Sequence, residues 1–196
     1  GLSLEARRVD LDAFLISSAG QALVARGVPK GGTGLPVMVD LDLGIDNLAL
    51  GLDEWTGIRL AGTLDRTGGL LLRRFQATAP GAAALAASGE IDTEPSPRFN
   101  GEVSLRTASS DGLGRYLRKL GLGGPVIAVM DGRPIQASAD VSAAAPDLSF
   151  RNLRLDLGGA QVTGIARYTR RDAGGRGRFD AQIKARGIDV AGLPSL

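Results

Sequence analysis

Apolar and polar residues alternate with a period of two along most of this chain. Val39, Leu41, Leu43 and Ile45 are interleaved with Asp40, Asp42, Gly44 and Asp46, which puts apolar side chains on one face of a strand and carboxylates on the other. The alternation returns in Ile58, Leu60 and Leu64, and in Phe99, Val103 and Leu105 against Asn100, Glu102, Ser104 and Arg106. It recurs in Ile135, Ala137, Ala139 and Val141, then in Phe179, Ala181, Ile183 and Ala185. The pattern predicts about ten strands, at 2–9, 37–48, 56–65, 69–79, 82–92, 98–107, 134–143, 147–157, 160–170 and 177–187. At about 3.3 Å per residue they run to roughly 30 Å, above the common strand length.

Two stretches change to a helical period. The first starts near Asp10 or Asp12, either of which can cap the free N–H groups, and is expected to stop at Gly27 with Pro29 beyond it. Its predicted buried stripe is Phe14, Leu15, Ala19, Ala22 and Leu23. The second starts at Ser110 or Asp111, carries Leu113, Tyr116, Leu117 and Leu120 at helical spacing, and stops at Gly121. Short and amphipathic, it is expected to plug one end of the sheet. Pro29 to Pro36 and Gly121 to Arg133, rich in Gly and Pro, read as loops.

An internal repeat organises these elements. Leu70, Leu72, Phe75, Ala77 and Ala79 superpose on Leu148, Phe150, Leu153, Leu155 and Leu157 at a constant offset, with Arg73 on Arg151. In both copies the apolar phase slips at one place, across Arg73-Arg74 and across Arg151-Asn152, as a β-bulge requires. Each copy then reaches a hairpin turn, Pro80-Gly81 or Gly158-Gly159. Phe99, Val103 and Arg106 correspond to Phe179, Ile183 and Arg186 in a third strand. The strand-to-helix junction at Ala6 to Leu11 is repeated at Ala185 to Val190 and more loosely at Leu105 to Leu113. Approximate modules therefore cover 1–109 and 110–187, with a further one starting at 188. The expected architecture is mainly β: a long antiparallel sheet of repeated strand modules, curled into an open groove, with two short amphipathic helices.

Composition narrows the chemistry. Histidine and cysteine are absent, which removes the usual residues of catalytic triads, thiol nucleophiles, zinc sites and disulfides. With 23 basic and 21 acidic residues there is no overall field to draw nucleic acid. A hydrophobic content of 43% supports a substantial core. No apolar run approaches the roughly 20 residues of a membrane-spanning helix. The chain begins at Gly1 inside a strand-like alternation and closes on a helix start, so it reads as a piece of a larger protein.

The stretch V-D-L-D-A-F-L at 9–15, the hairpin L-L-L-R-R-F-Q-A-T-A-P-G-A-A-A-L-A-A-S-G-E-I at 70–91 and its sequel P-R-F-N-G-E-V-S-L-R-T at 97–107 resemble AsmA-type repeats. So does D-L-S-F-R-N-L-R-L-D-L-G-G-A-Q-V-T-G-I-A-R-Y at 147–168. The resemblance is to the AsmA family of bacterial envelope proteins, to which TamB and YhdP are related. It implies a non-catalytic periplasmic sheet, anchored to the inner membrane by a segment outside this sequence, reaching toward the outer membrane. Such proteins are associated with moving phospholipid between the membranes or with outer-membrane assembly, and no cofactor is implied.

An apolar sheet face leaves about 25 cal/mol per Å² of unfavourable hydration to be covered, and a lipid acyl chain covers it as well as a second sheet does. Candidate groove-lining residues are Val39, Leu41, Leu43, Ile45, Ile58, Leu60, Val103 and Leu105. For any single one of these residues, packing in the core of a closed sandwich or of a helix-capped sheet is the more ordinary reading.

Other constellations read as structure. Asp40, Asp42, Asp46 and nearby Asp53 have oxygen ligands suited to calcium, but spacing of two along a strand describes a solvated acidic face. Lys30 in Gly27 to Gly34 precedes Gly-Gly-Thr and does not match a phosphate loop. Trp55 and Tyr116 read as packing aromatics, and the Arg pairs 7-8, 73-74 and 170-171 as strand-end and bulge residues on a wet face. No two acids are placed for glycosidase-type chemistry. Lipid handling and structural scaffolding therefore differ in whether the apolar face stays accessible. An uncovered sheet edge also invites self-association through edge strands.

Overall fold

The computed structural model describes residues 1–18, 21, 37–50, 53–93, 96–119, 132–170 and 177–187, without the Leu15 side chain. The predicted loop from Pro29 to Pro36 with Lys30, the predicted loop from Gly121 except Gly132 and Arg133, Ala19, Ala22, Leu23, Gly27, Leu120, Arg171 and the repeated junction and further module from Ile188 lie outside these residues. Ten strands form a single sheet in sequence order. They are β1 (Leu2–Asp10), β2 (Val39–Leu50), β3 (Asp53–Leu64), β4 (Leu70–Ala79), β5 (Ala83–Asp92), β6 (Arg98–Thr107), β7 (Ile135–Ala144), β8 (Asp147–Leu157), β9 (Ala160–Thr169) and β10 (Arg178–Arg186). Helix α1 (Leu11–Ile16) follows β1 and α2 (Ser110–Lys119) follows β6. The sheet is open and not closed into a barrel, because among the described residues β1 and β10 pair only with β2 and β9. Every predicted strand is present, with ends shifted by at most three residues.

The sheet is mixed, which corrects the expectation of a wholly antiparallel one. β2 runs parallel to β1, with Leu2 opposite Leu41 and Asp10 opposite Ala49. The reason is the intervening segment: a strand–helix–strand crossover returns the chain to the end where it began, whereas a hairpin reverses it. The other eight pairings are antiparallel.

The first helix also departs from its prediction. Asp10 caps it by accepting the Ala13 N–H at 2.8 Å, but it stops at Ile16, not at Gly27. Ser17 turns to extended geometry, and its hydroxyl donates to the Phe14 carbonyl at 2.6 Å, competing with the helical bond at that position. Gln21 N–H donates to the Ser17 carbonyl at 2.9 Å, so helical bonding resumes past this break. Phe14, expected in a buried stripe, is 40% exposed.

Register is kept by the apolar pattern and interrupted where that pattern slips. Pairing shifts at Leu72/Phe75 in β4 and at Phe150/Leu153 in β8, the two places where the repeat changes phase. Asn152 sits in the second bulge with φ of 51°, a conformation that asparagine tolerates better than most residues. A third irregularity crosses β1 to β3, where Arg7, Asp46 and Gly57 drop out of the ladder together and Gly57 has φ of 60°.

Candidate functional site

Strand alternation brings all eight candidate residues to one face. Ile45 lies opposite Ile58 and Leu43 opposite Leu60. The row through Leu43 and Leu60 continues across Phe75, Ala87, Val103 and Ala139. Leu105 falls in the adjacent row, between Leu85 and Ala137. Leu41 and Val39 extend the surface toward Gly62, Leu72, Leu64 and Leu70. The rows thus run at right angles to the strands and cross most of the sheet.

The same rows contain residues that the sequence reading did not assign to the site: Leu72, Phe75, Leu85, Phe150, Leu155 and Val162. Their signal was present in the repeat, since a bulge only moves the apolar phase from even to odd numbers. Ile58 and Leu72 are buried, whereas Val39, Leu41, Leu43, Ile45, Leu60, Val103 and Leu105 are half-buried. These side chains have lost part of their contact with water without being sealed off.

One end of the apolar face is closed by α2. Leu113, 5% exposed, packs with Ala79, Ala83, Ile135, Leu157 and Ala160, all at strand ends. Trp55, Leu105, Leu117 and Leu155 border this cluster. Trp55 meets Tyr116 edge-on with ring centroids 6.1 Å apart, a packing contact and not an open stacking platform. The Trp55 indole N–H is buried without a partner among the described residues. Lys119 ties the far end of α2 to Asp53 at 2.7 Å. At the near end the backbones of Gly112 and Gly81 touch: a Cβ on Gly112 would lie against the Cα of Gly81 and 2.9 Å from its carbonyl oxygen. Glycine at both positions is what lets the helix sit on the β4–β5 turn.

The opposite face is polar and laced with exposed ion pairs. Arg73, at the first bulge, donates to Asp40 at 3.0 Å and to Thr63 at 2.8 Å. At the second bulge Asn152 donates to Asp140 at 2.6 Å. Arg59 pairs with Asp46 at 3.0 Å and Arg167 with Asp147 at 3.2 Å. The Thr63 hydroxyl, then the Arg73 guanidinium, holds the Asp40 carboxyl below its ordinary range, and Thr169 with Arg167 does the same for Asp147. Asp65 is lowered by the Thr67 hydroxyl and the Gly69 N–H. Asp40, Asp46 and Asp53 each pair with a different cation, Arg73, Arg59 and Lys119, and no group of three or more acids converges on a metal position among the described residues. A shallow depression of about 330 Å³ lies on this face, bordered by Gln76, Thr78, Ser104, Arg106 and Gln136, with Arg106 the only charged residue among its described lining.

Comparison of the chain with known protein families, with characterised proteins and with solved structures finds no match. No helix among the described residues is long and apolar enough to cross a membrane.

Proposed function

We propose that this chain is a non-catalytic, AsmA-like segment of a periplasmic protein anchored to the inner membrane, and that its apolar sheet face carries phospholipid acyl chains. The observation that carries the reading is a continuous apolar surface on which seven of the eight candidate residues, all but Ile58, remain half-buried. A strand of ten residues is about 33 Å long, enough to lie along an extended acyl chain. Each Å² of that surface withdrawn from water is worth about 25 cal/mol, whatever covers it. Phospholipid handling between the membranes and outer-membrane maintenance follow as the biological role. The second reading, a scaffold repeat that assists outer-membrane protein assembly, draws support from the α2 cluster, which covers one end of the face with protein.

Native mass spectrometry of the chain purified from bacterial cells, followed by lipid extraction, tests the proposal. Phospholipid is expected to co-purify and to be lost in Leu41→Asp or Val103→Asp while circular dichroism stays unchanged. An unliganded mass, together with no binding of added phospholipid, would favour the scaffold.

A further inference from the structure

We propose that the polar face of the sheet holds an acidic oligosaccharide in a basic strip that crosses β4 to β10. The strip lies on the face opposite the apolar rows, so the inference is independent of the lipid reading.

Register lays out the strip. One row runs from Gln76 through Ala86, Ser104, Ser138, Arg154 and Thr163 to Lys184. Its neighbour, two residues along each strand, runs from Thr78 through Ala84, Arg106, Gln136, Asp156 and Gln161 to Arg186. Arg106, Arg154, Lys184 and Arg186 thus stand against Asp156 alone. In the next two rows, toward the other strand ends, cations and acids balance: Arg73, Arg74, Arg151 and Arg167 against Glu90, Glu102, Asp140 and Asp180. A chain whose charges nearly cancel overall therefore concentrates positive charge along one band of one face. The two rows are about 7 Å apart and the band crosses roughly 29 Å of sheet, dimensions that suit a linear ligand.

Side-chain size hollows the band. β5 contributes only Ala84 and Ala86 to it, and β6 and β7 contribute Ser104 and Ser138, between the longer Gln76, Arg106 and Gln136. The result is the depression of about 330 Å³ and a second of about 320 Å³ beside it, which shares Gln136 and Ser138 and adds Arg154 and Thr163. The side chains of Gln76, Thr78, Ser104, Arg106, Gln136 and Arg154 make no hydrogen bond or ion pair with other described residues. Hydroxyl and carboxamide groups both donate and accept, as sugar hydroxyls do, and the guanidinium fork matches a carboxylate. The two rows contain no aromatic residue, so they lack the stacking platform that single-stranded nucleic acid uses. Asp156, the one acid, already accepts the Gly159 N–H at 3.1 Å.

Trigalacturonate, which carries a carboxylate on each ring, is the probe, read by nuclear magnetic resonance of the nitrogen-labelled chain. It is expected to shift the amide signals of Ala77, Leu85, Leu105 and Ala137, which floor the first depression, and to leave Arg98 at the far end of β6 unmoved. Arg106→Gln and Arg154→Gln, both at exposed positions, are expected to weaken binding about threefold each and about tenfold together. Arg98→Gln is expected to leave it unchanged, and neutral maltotriose to bind roughly tenfold more weakly or less. Absence of a saturable shift with trigalacturonate, or an equal loss in Arg98→Gln, would overturn the strip. Triphosphate or triaspartate binding as tightly as trigalacturonate would show that charge alone is read, and would overturn the oligosaccharide as its ligand.

Discussion

Asp40, Asp65 and Asp147 show how single side chains on the wet face are organised. Each carboxylate is favoured in the folded chain by hydroxyl, N–H or guanidinium donors, so its folded pKa lies below the ordinary value. A depressed acid contributes stability above the ordinary aspartate value of about 3.9 and loses it as pH falls through the lower folded value. The urea midpoint should therefore be insensitive to these groups above about pH 5 and fall below about pH 4. Asp40→Asn combined with Asp147→Asn should flatten that fall. Asp40 is exposed and Asp65 and Asp147 are in part open to solvent, so the effect is small; an identical acid profile in the double variant would contradict the assignment. Such partners were not legible in the sequence. The alternation put Asp40 on a wet face, but its bond to Arg73 spans two strand pairings and depends on where the bulge turns that arginine.

At the scale of elements, the docking of α2 is the most exposed to test. A glycine inside a helix ordinarily costs about 1 kcal/mol relative to alanine, so Gly112→Ala would stabilise a helix lying free in solvent. Here the added Cβ would meet the Gly81 backbone, and overpacking of this kind typically costs about 1–3 kcal/mol. The clash outweighs the propensity gain. Gly112→Ala is expected to lower the urea midpoint and shift the emission of Trp55, the only tryptophan, toward longer wavelength as α2 lifts away. A higher midpoint with unchanged emission would show that α2 does not rest on this turn. The helix itself was readable from Leu113, Tyr116 and Leu117, and so was its place at a sheet end. Its contact with Gly81 was not, since Gly81 read as part of a hairpin turn and nothing in the sequence ties that turn to Gly112. In α1 the capping aspartate was legible, but the stop at Ser17 was missed because the apolar period continues past it, while a hydroxyl bond to the Phe14 carbonyl decides the local geometry.

Across the whole molecule the sequence carried the sheet unusually far, because one residue in two repeats the same statement about which face is dry. Ten strands, their order along the chain and two bulges follow from Val39 to Ile45 and its copies. The parallel pairing of β1 with β2 did not follow, since period-two alternation is the same in either direction and only the path of the connection fixes the sense. The candidate surface was half legible: Leu43, Leu60 and Val103 were named, but their alignment into rows with Phe75 and Ala87 depends on register. The central claim is that this apolar face, and not the polar one, receives acyl chains. The absence of cysteine permits single spin labels at neighbouring positions of opposite face, Leu43→Cys against Asp42→Cys and Val103→Cys against Glu102→Cys, read by electron paramagnetic resonance with and without phospholipid. The account predicts immobilisation at 43 and 103 on adding lipid and unchanged spectra at 42 and 102; equal responses on both faces, or none on either, would contradict it.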